Sequence, residues 1–444
     1  MNRPELPVSP ADFIDERPED GVVRVNRSMF TDPELFELEI DKIWEGNWIF
    51  LAHESQIPNP NDFITLTMGR TPVILVRDPD GVAINGFVNA CGHRGTTLLR
   101  EECGNKADYS CPFHGWVFDT RGNAKVVFKE DVGDYPDEFD KQNYGLTPVA
   151  RVESYRGFIF GSLNDDVLEL LEHLGPTTTI IDMMVDQAPD GLEVLKGRST
   201  YVFKGNWKIQ AENGVDGYHV YATHGNYVMT TERRRKLKGE ADEVKAIMVG
   251  DMINKPGIGG SFELGHGHCV VFGTIPNPDD RPNFHQFESY KQQFGEARAT
   301  WMLGKIRNTL IYPNVFLMDQ TSTQIRMFRP IDVDTTEVTI YGIAPIGEPA
   351  EDRTKRIRQY EDFFNASGMA TPDDITEFKQ SQLAYKAKNS RWNDGSRGLK
   401  TRKIGESHPD AAELGIEVNG GGTVFEDEGV MVAQHRWWAE ILSR

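Results

Sequence analysis

Two short pairs of cysteine and histidine residues could together hold a metal centre. Cys91 and His93 lie two positions apart, Cys111 and His114 lie three positions apart, and 17 residues separate the pairs. Each pair is typical of a loop tip between two strands. Glycines beside the ligand candidates would let backbone N–H groups approach the sulfurs closely. The spacing therefore predicts two facing loops that share one metal group.

Each pair offers one thiolate and one imidazole, and this mixture limits the kind of centre. In a Rieske-type [2Fe–2S] cluster two thiolates bind one iron and two imidazoles bind the other. A structural Cys2His2 zinc site is the alternative, but zinc pairs usually come as Cys-Cys followed by His-His. The pattern therefore favours the Rieske cluster. Cys103 and Cys269 have no partner at ligand spacing, and we expect them to be unligated.

A second candidate centre involves His219 and His224, with Asp216 three residues before the first histidine. At 100° per residue, positions five apart diverge by ~140° on a straight α-helix, so a helix end or a π-bulge must separate the histidines. Two histidines and a carboxylate form the facial triad of non-haem ferrous oxygenases. The alternative is that both histidines are structural and hydrogen-bonded. The Rieske-type Cys/His pairs in the same chain favour the metal site over this alternative.

His266 and His268 could also share one face of a strand and approach a metal. No acidic residue is patterned around them, so we expect a structural role for this pair.

The surrounding elements indicate an α+β chain. A helix is predicted over Thr31–Gly46, with Thr31 and Glu34 as a capping box and Phe36, Ile40, Ile43 and Trp44 on its apolar face. Short β-rich runs with turn signals fill residues 62–163. Later strands are predicted at 199–203, 270–275, 308–318, 324–328 and 337–343, with a helix over 351–364. We therefore expect an N-terminal helical segment (1–45) packing on the catalytic domain, an all-β domain (46–165), and a domain with an antiparallel sheet and helices (166–444).

Composition restricts the environment and the partners. The 444 residues include 48 basic and 68 acidic side chains, a net charge of −20, which argues against binding to nucleic acid or to an anionic membrane. No signal peptide and no apolar run of about 20 residues is visible, so we expect a cytoplasmic protein. The glycine-rich segments 257–260 and 420–422 are expected to be loops and lack a dinucleotide-binding context. The sequence therefore shows no visible NADH or flavin site.

With both centres in place, the chain resembles the α subunits of Rieske non-haem iron aromatic-ring-hydroxylating dioxygenases, closest to the benzoate, toluate, halobenzoate and anthranilate group. The resemblance covers nearly the whole chain and includes the segments 29–32, 45–48, 211–214, 358–364 and 428–429. It implies a catalytic domain of the helix-grip, START-like type. It also implies a small β subunit in an α3β3 assembly, a separate NADH-dependent reductase, with or without a ferredoxin, and an aromatic substrate with O2.

The resemblance also implies roles for individual residues. Cys91, His93, Cys111 and His114 would bind the [2Fe–2S] cluster, and His219, His224 and Asp374 would bind a mononuclear Fe(II). Asp373 remains the alternative third ligand, and both acids also suit the start of a helix after Thr371-Pro372. Asp216 would connect the cluster of one subunit to the iron of the next.

The same relatives imply an aromatic carboxylate as substrate. Arg326, in the strand Gln324–Arg329, is the candidate that binds the carboxylate, on the same strand face as Phe328; a surface or intersubunit arginine is the alternative. Gly225 stands where close relatives often have a bulky aromatic residue, so a larger ring, an aniline or a dicarboxylate is a further alternative. Other functions left open are a monooxygenase, an electron carrier and a zinc-stabilised structural protein.

Overall fold

The computed structural model describes residues 9–238, 259–320, 322–405 and 408–444. It divides into two compact units. The smaller unit comprises Ile40–Leu170, against 46–165 expected from the sequence. The larger unit combines the chain up to Glu39 with Leu171–Arg444. Among the helices in these ranges, none has the length and apolar character needed to span a bilayer.

The described strands, in chain order, are β1 (Ile14–Arg17), β2 (Val22–Asn26), β3 (Ile49–His53), β4 (Asp62–Met68), β5 (Thr71–Arg77), β6 (Ile84–Val88), β7 (Cys103–Asn105), β8 (Asp108–Ser110), β9 (Val117–Asp119), β10 (Ala124–Val126), β11 (Arg151–Tyr155), β12 (Phe158–Ser162), β13 (Leu192–Val194), β14 (Ser199–Phe203), β15 (Gly259–Gly265), β16 (His268–Thr274), β17 (Lys305–Ile311), β18 (Val315–Asp319), β19 (Thr323–Asp332), β20 (Thr335–Pro345), β21 (Trp392–Asp394), β22 (Lys403–Ile404) and β23 (Gly420–Gly421).

The described α-helices are α1 (Pro33–Glu39), α2 (Leu170–Leu174), α3 (Thr177–Val185), α4 (Trp207–Asn213), α5 (Val220–Thr223), α6 (Gly225–Lys238), α7 (Phe287–Phe294), α8 (Glu296–Leu303), α9 (Ala350–Phe363), α10 (Thr371–Tyr385), α11 (Pro409–Leu414) and α12 (Gly429–Ser443).

The smaller unit is built from three antiparallel sheets, in the orders β6-β5-β4-β7, β10-β9-β8 and β11-β12-β3. One of its apolar cores contains Ile74, Tyr109 and Phe118 together with the sulfur-bearing side chains of Cys91 and Cys111. The all-β prediction for this part of the chain is confirmed. Both thiols are thereby anchored in the core rather than on mobile loop tips.

The larger unit is organised around one long antiparallel sheet in the order β13-β20-β19-β18-β17-β16-β15-β23-β22, with β14 also pairing with β20. The helices lie around this sheet, so the α+β prediction is confirmed. The single strand predicted over 308–318 is wrong: β17 and β18 form a hairpin around Tyr312–Asn314. Pro313 has no N–H group and cannot continue a strand ladder, which explains the break.

The N-terminal helix differs from its prediction in how it begins and ends. Asp32, not Thr31, accepts hydrogen bonds from the N–H groups of Glu34 (2.8 Å) and Leu35 (3.2 Å). After α1 the chain continues as a π-helical turn over Ile40–Trp44. The predicted apolar face is buried as expected, because Phe36, Ile40, Ile43 and Trp44 are at most 5% exposed.

Four glycines of the two glycine-rich segments lie in strands and not in the loops that the sequence suggests. Gly259 and Gly260 begin β15, and Gly420–Gly421 forms β23, which pairs with it. Gly257 and Ile258 lie outside the described residues. A side chain at Gly421 would meet the backbone oxygen of Ser261 at 2.0 Å, so close strand packing accounts for glycine there.

A buried carboxylate holds three distant segments of the larger unit together. Glu39, at the end of α1, forms an ion pair with Lys208 of α4 and accepts hydrogen bonds from the indole N–H groups of Trp207 and Trp438, each at 2.7 Å. Burial lowers the pKa of Lys208, and the charge of Glu39 opposes this shift. Since α4 precedes the candidate histidines directly, this cluster fixes the helix that leads to them.

We expect Glu39→Ala to destabilise the larger unit by about 3–5 kcal/mol, because removal of one partner leaves the Lys208 ammonium buried without its counter-charge. Guanidinium unfolding followed by tryptophan fluorescence measures this change. Glu440→Gln, which removes the exposed pair with Arg444 on α12, is the control and should leave the unfolding midpoint unchanged. An unchanged midpoint for Glu39→Ala would show that the cluster does not stabilise the unit.

Candidate functional site

The two Cys/His loops of the smaller unit have the same backbone pattern. Cys91 donates its N–H to Thr96 and accepts from Gly95; Cys111 donates to Trp116 and accepts from Gly115. In both loops these partners are therefore five and four residues after the cysteine. The two glycines have φ of +73° and +72°, in the left-handed region that favours glycine. The sequence shows both pairs, but the shared loop geometry is visible only in the structure.

The side chains of these loops lie close together. The rings of His93 and His114 have centroids 4.7 Å apart, and His93 stacks on Trp116 at 4.9 Å with an interplanar angle of 7°. Cys91 and Cys111 are 4% and 3% exposed. A side chain at Gly92 would meet the carbonyl oxygen of Tyr144 at 2.1 Å, so only glycine allows this close approach.

The donor set fits a two-iron, two-sulfur cluster. Burial raises the pKa of the Cys91 thiol, and the neighbouring Cys111 adds to this, whereas the N–H groups of His93 and Arg94 favour its thiolate. Nδ1 of His114 is buried and has no hydrogen-bond partner among the described residues. Backbone donors to sulfur and an imidazole nitrogen without a competing partner are what such a cluster needs.

The break predicted between the two histidines of the larger unit is present. α4 ends at Asn213, and His219 and His224 flank the four-residue helix α5 before α6 begins at Gly225. His219 precedes the first residue of α5 and His224 follows the last one. The two imidazoles can therefore converge although they are five residues apart.

The histidines meet the third residue implied by the resemblance. The Nε2 atoms of His219 and His224 are 3.2 Å apart, and they lie 3.5 Å and 3.2 Å from Oδ1 of Asp374. Asp374 is in the first turn of α10, so the expected helix start and the convergence coexist. Asp373 is not part of this group. Two imidazoles and a carboxylate within this distance fit a facial triad.

The electrostatics of the group favour a bound cation. Burial raises the pKa of Asp374, but the hydrogen bond from His224 and the charges of His224, His219 and Arg326 bring it below the usual value. The pKa of His219 is raised overall, because Asp216 and Asp374 outweigh the lowering effect of burial. An anionic carboxylate beside two imidazoles in a buried position is the environment that a divalent metal would stabilise.

Asp216 and Asn213 contact the same histidine from two sides. Oδ2 of Asp216 lies 3.2 Å from Nδ1 of His219, and its Oδ1 accepts the N–H of Tyr218 at 2.7 Å. The side-chain amide of Asn213 lies 3.3 Å from Nε2 of His219 and 3.3 Å from Oδ1 of Asp374. The sequence did not reveal this role of Asn213, because its six-residue separation from His219 matches no regular spacing.

Arg326 is buried close to this group. Its side chain lies on β19 opposite Phe316 of β18 and Ile340 of β20, and the residue is 4% exposed. Its Cζ is 5.3 Å from the ring centroid of Phe364. Phe316 packs against Phe328 at 5.9 Å, in agreement with the predicted strand face. Among the described residues, Nε of Arg326 has no hydrogen-bond partner.

His266 and His268 gain a third neighbour, His173 of α2, and the three side chains are within metal-binding distance of one another. The rings of His266 and His268 lie 2.8 Å and 3.0 Å from the carbonyl oxygen of His173, and Nδ1 of His268 accepts the N–H of Tyr312 at 2.9 Å. Both nitrogens of His268 are therefore engaged, which favours a structural role. No sequence spacing links His173 to this pair.

The remaining two cysteines, Cys103 and Cys269, lie on strands. Cys103 is exposed on β7, and Cys269 is buried on β16, with its sulfur 3.4 Å from the side-chain amide of Gln434.

Comparison with known proteins gives two family matches: "Rieske [2Fe-2S] domain" over residues 47–136 and "Ring hydroxylating alpha subunit (catalytic domain)" over residues 192–444. The toluate 1,2-dioxygenase α subunit of Pseudomonas putida is 49% identical over 96% of this chain and 93% of its own. The 2-halobenzoate 1,2-dioxygenase large subunit of Burkholderia cepacia is 44% identical, covering 97% and 92%.

The anthranilate 1,2-dioxygenase large subunit of Acinetobacter baylyi is 44% identical over 97% of this chain and 91% of its own. Among solved structures, a naphthalene 1,2-dioxygenase with indole bound in the active site superimposes with a TM-score of 0.82 at 26% identity, covering 95% of this chain and 92% of that one. These matches confirm the resemblance and the fold class. They also confirm the Rieske cluster and non-haem iron as the cofactors.

Proposed function

Because the chain belongs to the ring-hydroxylating dioxygenase α-subunit family, we propose that it converts a benzoate-like aromatic carboxylate into a cis-diol or a catechol. The observation that carries the proposal is the convergence of His219, His224 and Asp374 in a chain that also has a Rieske domain. Relatives named for toluate, 2-halobenzoate and anthranilate support the substrate class, because all three compounds are aromatic carboxylates.

We assign the cluster to Cys91, His93, Cys111 and His114. The mononuclear iron is assigned to His219, His224 and Asp374. These three side chains would hold ferrous iron, which would supply the activation of dioxygen. The overall reaction adds both oxygen atoms to adjacent ring carbons and consumes two electrons and two protons. For substrates with an amino or halogen substituent, loss of that group gives a catechol.

The chain's own residues hold the reacting groups in place. Asn213 would orient the Asp374 carboxylate through its side-chain amide, and Phe363 packs its ring 5.6 Å from that of His224. His224 is 2% exposed, so water reaches it poorly. Because Asp374 and His224 are held in place and shielded from water, they need little reorganisation during the reaction.

We propose that Asp216 links two subunits. Its carboxylate would accept hydrogen bonds from His219 and from His114 of the partner subunit, which gives electrons a short path from the cluster. The side chain is 20% exposed and already 3.2 Å from Nδ1 of His219, which supports the proposal. The assembly would be α3β3 with a small β subunit, and a separate NADH-dependent reductase, with or without a ferredoxin, would supply electrons. We place the reaction in the cytoplasm, where NADH is available.

Arg326 is proposed to bind the substrate carboxylate. A buried guanidinium without an ion-pair partner is unfavourable, and a planar carboxylate matches its donors in a bidentate manner. No ion pair involves Arg326 in the described part of the chain, and the Phe364 ring beside it would contact the aromatic part of a substrate.

Substitutions of Asp374 and Asp216 are expected to have different effects on metal content and turnover. Asp374→Asn should lose the mononuclear iron and keep the rhombic resonance signal of the reduced cluster, because an amide is a weaker ligand. Asp216→Asn should keep both metals and lose turnover by about 100-fold or more, through slower oxidation of the cluster. Iron analysis, cluster spectroscopy and stopped-flow oxidation measure these effects.

Asp373→Asn is the matched control for the acids, because Asp373 neighbours Asp374 in the chain but lies outside the histidine group. It should retain iron and turnover. Loss of iron from Asp373→Asn but not from Asp374→Asn would overturn the ligand assignment.

Arg326→Met should lower kcat/KM for benzoate by about 10- to 150-fold, the effect of losing a hydrogen bond to a charged group worth about 1.5–3 kcal/mol. Turnover of an uncharged ring such as toluene should not fall. Arg329→Met, on the opposite face of β19, removes an arginine that pairs with Glu337 at 2.7 Å and serves as control. Equal losses on benzoate and toluene would contradict a role in carboxylate binding.

Product analysis with labelled dioxygen tests the function itself. The chain, assembled with its small subunit and supplied with reductase and NADH, is offered benzoate, toluates, halobenzoates, anthranilate and a benzene dicarboxylate. We expect a diol or catechol that contains two labelled oxygen atoms. A single labelled atom in the product would instead identify a monooxygenase, and no turnover of any aromatic acid would refute the proposal.

A further inference from the structure

The sheet face that carries Arg326 consists of two rows of residues defined by strand register. One row is Leu310, Phe316, Arg326 and Ile340; the other is Asn308, Met318, Gln324 and Gly342. The rows are two residues apart on every strand, so their side chains share one face. We call this face, formed by those eight residues, the sheet floor.

Helix α4 packs against the sheet floor beside the histidine group. A side chain at Gly214, the residue after α4, would meet the ring of Phe316 at 2.2 Å. Gln210 lies four residues before Gly214, hence on the same side of the helix. Asn213, adjacent to Gly214, contacts both His219 and Asp374. The floor and the candidate iron ligands therefore belong to one site.

Several polar atoms on this face are buried without a hydrogen-bond partner in the described part of the chain. They are Oδ1 of Asn308, Oε1 of Gln324 and Nε of Arg326; in α4, which packs against the floor, both side-chain amide atoms of Gln210 are in the same state. A buried polar atom without a partner is unfavourable, because it has lost its hydrogen bonds to water. Their grouping on one face indicates a polar ligand with complementary groups.

The orientation of the Gln324 amide follows from its neighbour. Its Nε2 donates to the sulfur of Met318 at 3.5 Å, and sulfur is an acceptor, so the amide oxygen is the atom that remains free. Gln324 and Asn308 thus both present acceptor oxygens, whereas Arg326 presents donors. Gln324 and Arg326 are roughly 7 Å apart along β19, a distance that an aromatic ring with two substituents can span.

We propose that Gln324 and Asn308 are specificity-determining residues that select aromatic carboxylates whose ring also bears a hydrogen-bond donor, an amino or hydroxyl group. Arg326 binds the carboxylate, and the two amide oxygens accept from the second substituent. A methyl group or a halogen at the same ring position leaves both oxygens without a partner. This inference rests on the proposed function and adds to it the chemical class of the second substituent.

The test compares two ligands of similar shape, 2-aminobenzoate and 2-methylbenzoate, on the assembled holoenzyme. Dissociation constants are measured by calorimetry without reductant, and kcat/KM is measured with reductase and NADH. We expect the wild-type protein to favour 2-aminobenzoate at least tenfold in both quantities. Gln324→Leu should reduce this ratio about tenfold or more, mainly through weaker binding of the amino compound, and Asn308→Leu should shift it in the same direction.

Ile325→Leu is the matched control, because it changes the neighbouring residue on the opposite face of β19 without loss of a polar group. Its ratio should equal that of the wild type. Equal affinity of the wild type for both ligands, or a ratio that Gln324→Leu and Asn308→Leu leave unchanged, would overturn the inference while the dioxygenase function stands. Failure of both ligands to bind and to react would refute the inference together with carboxylate recognition.

Discussion

The position of Asp374 sets the central constraint on the larger unit. A carboxylate that is 7% exposed needs nearby positive charge or several donors, and its surroundings offer two imidazoles and one amide. Those imidazoles are five residues apart and would diverge on one continuous helix, so the helix ends at Thr223 and a new one begins after His224. A metal ion would satisfy the carboxylate and both rings at once. The short helix α5 and its two flanking histidines are explained by this requirement.

The convergence depends on a second buried carboxylate, which fixes α4. Glu39 of α1 binds Trp207 and Lys208 of α4 and Trp438 of α12, and so joins three segments that are far apart in sequence. Helix α4 has only seven residues, so the contacts of Glu39 with its first turn position the whole helix. Its last residue, Asn213, contacts the histidine group, and its Gln210 lies toward the sheet floor. The ion pair at one end of the helix therefore supports the position of Asn213 beside the histidine group at the other end.

The sequence predicted the features that depend on residue type and local spacing. The Cys/His pairs, the break after His219 and the buried face of Arg326 follow from ligand chemistry and periodicity. Contacts between remote segments were not predictable: His173 joins His266 and His268 from 93 residues away. The strand over 308–318 was misread because its apolar pattern continues through the turn at Pro313, where the missing N–H ends the ladder.

Metal ligands could be predicted from the sequence, whereas residues that select the substrate could not. The Cys/His pairs indicate a metal centre from residue type and spacing alone, because one thiolate and one imidazole in each pair match a Rieske cluster. Gln324 and Asn308 are ordinary polar residues in sequence. Their proposed role becomes visible only in the structure, where strand register places them in one row and their amide oxygens are buried without partners among the described residues. On the proposed specificity, exchange of either amide for an apolar side chain would change the preferred ring substituent while the backbone pairing of the sheet and the candidate iron ligands stay in place.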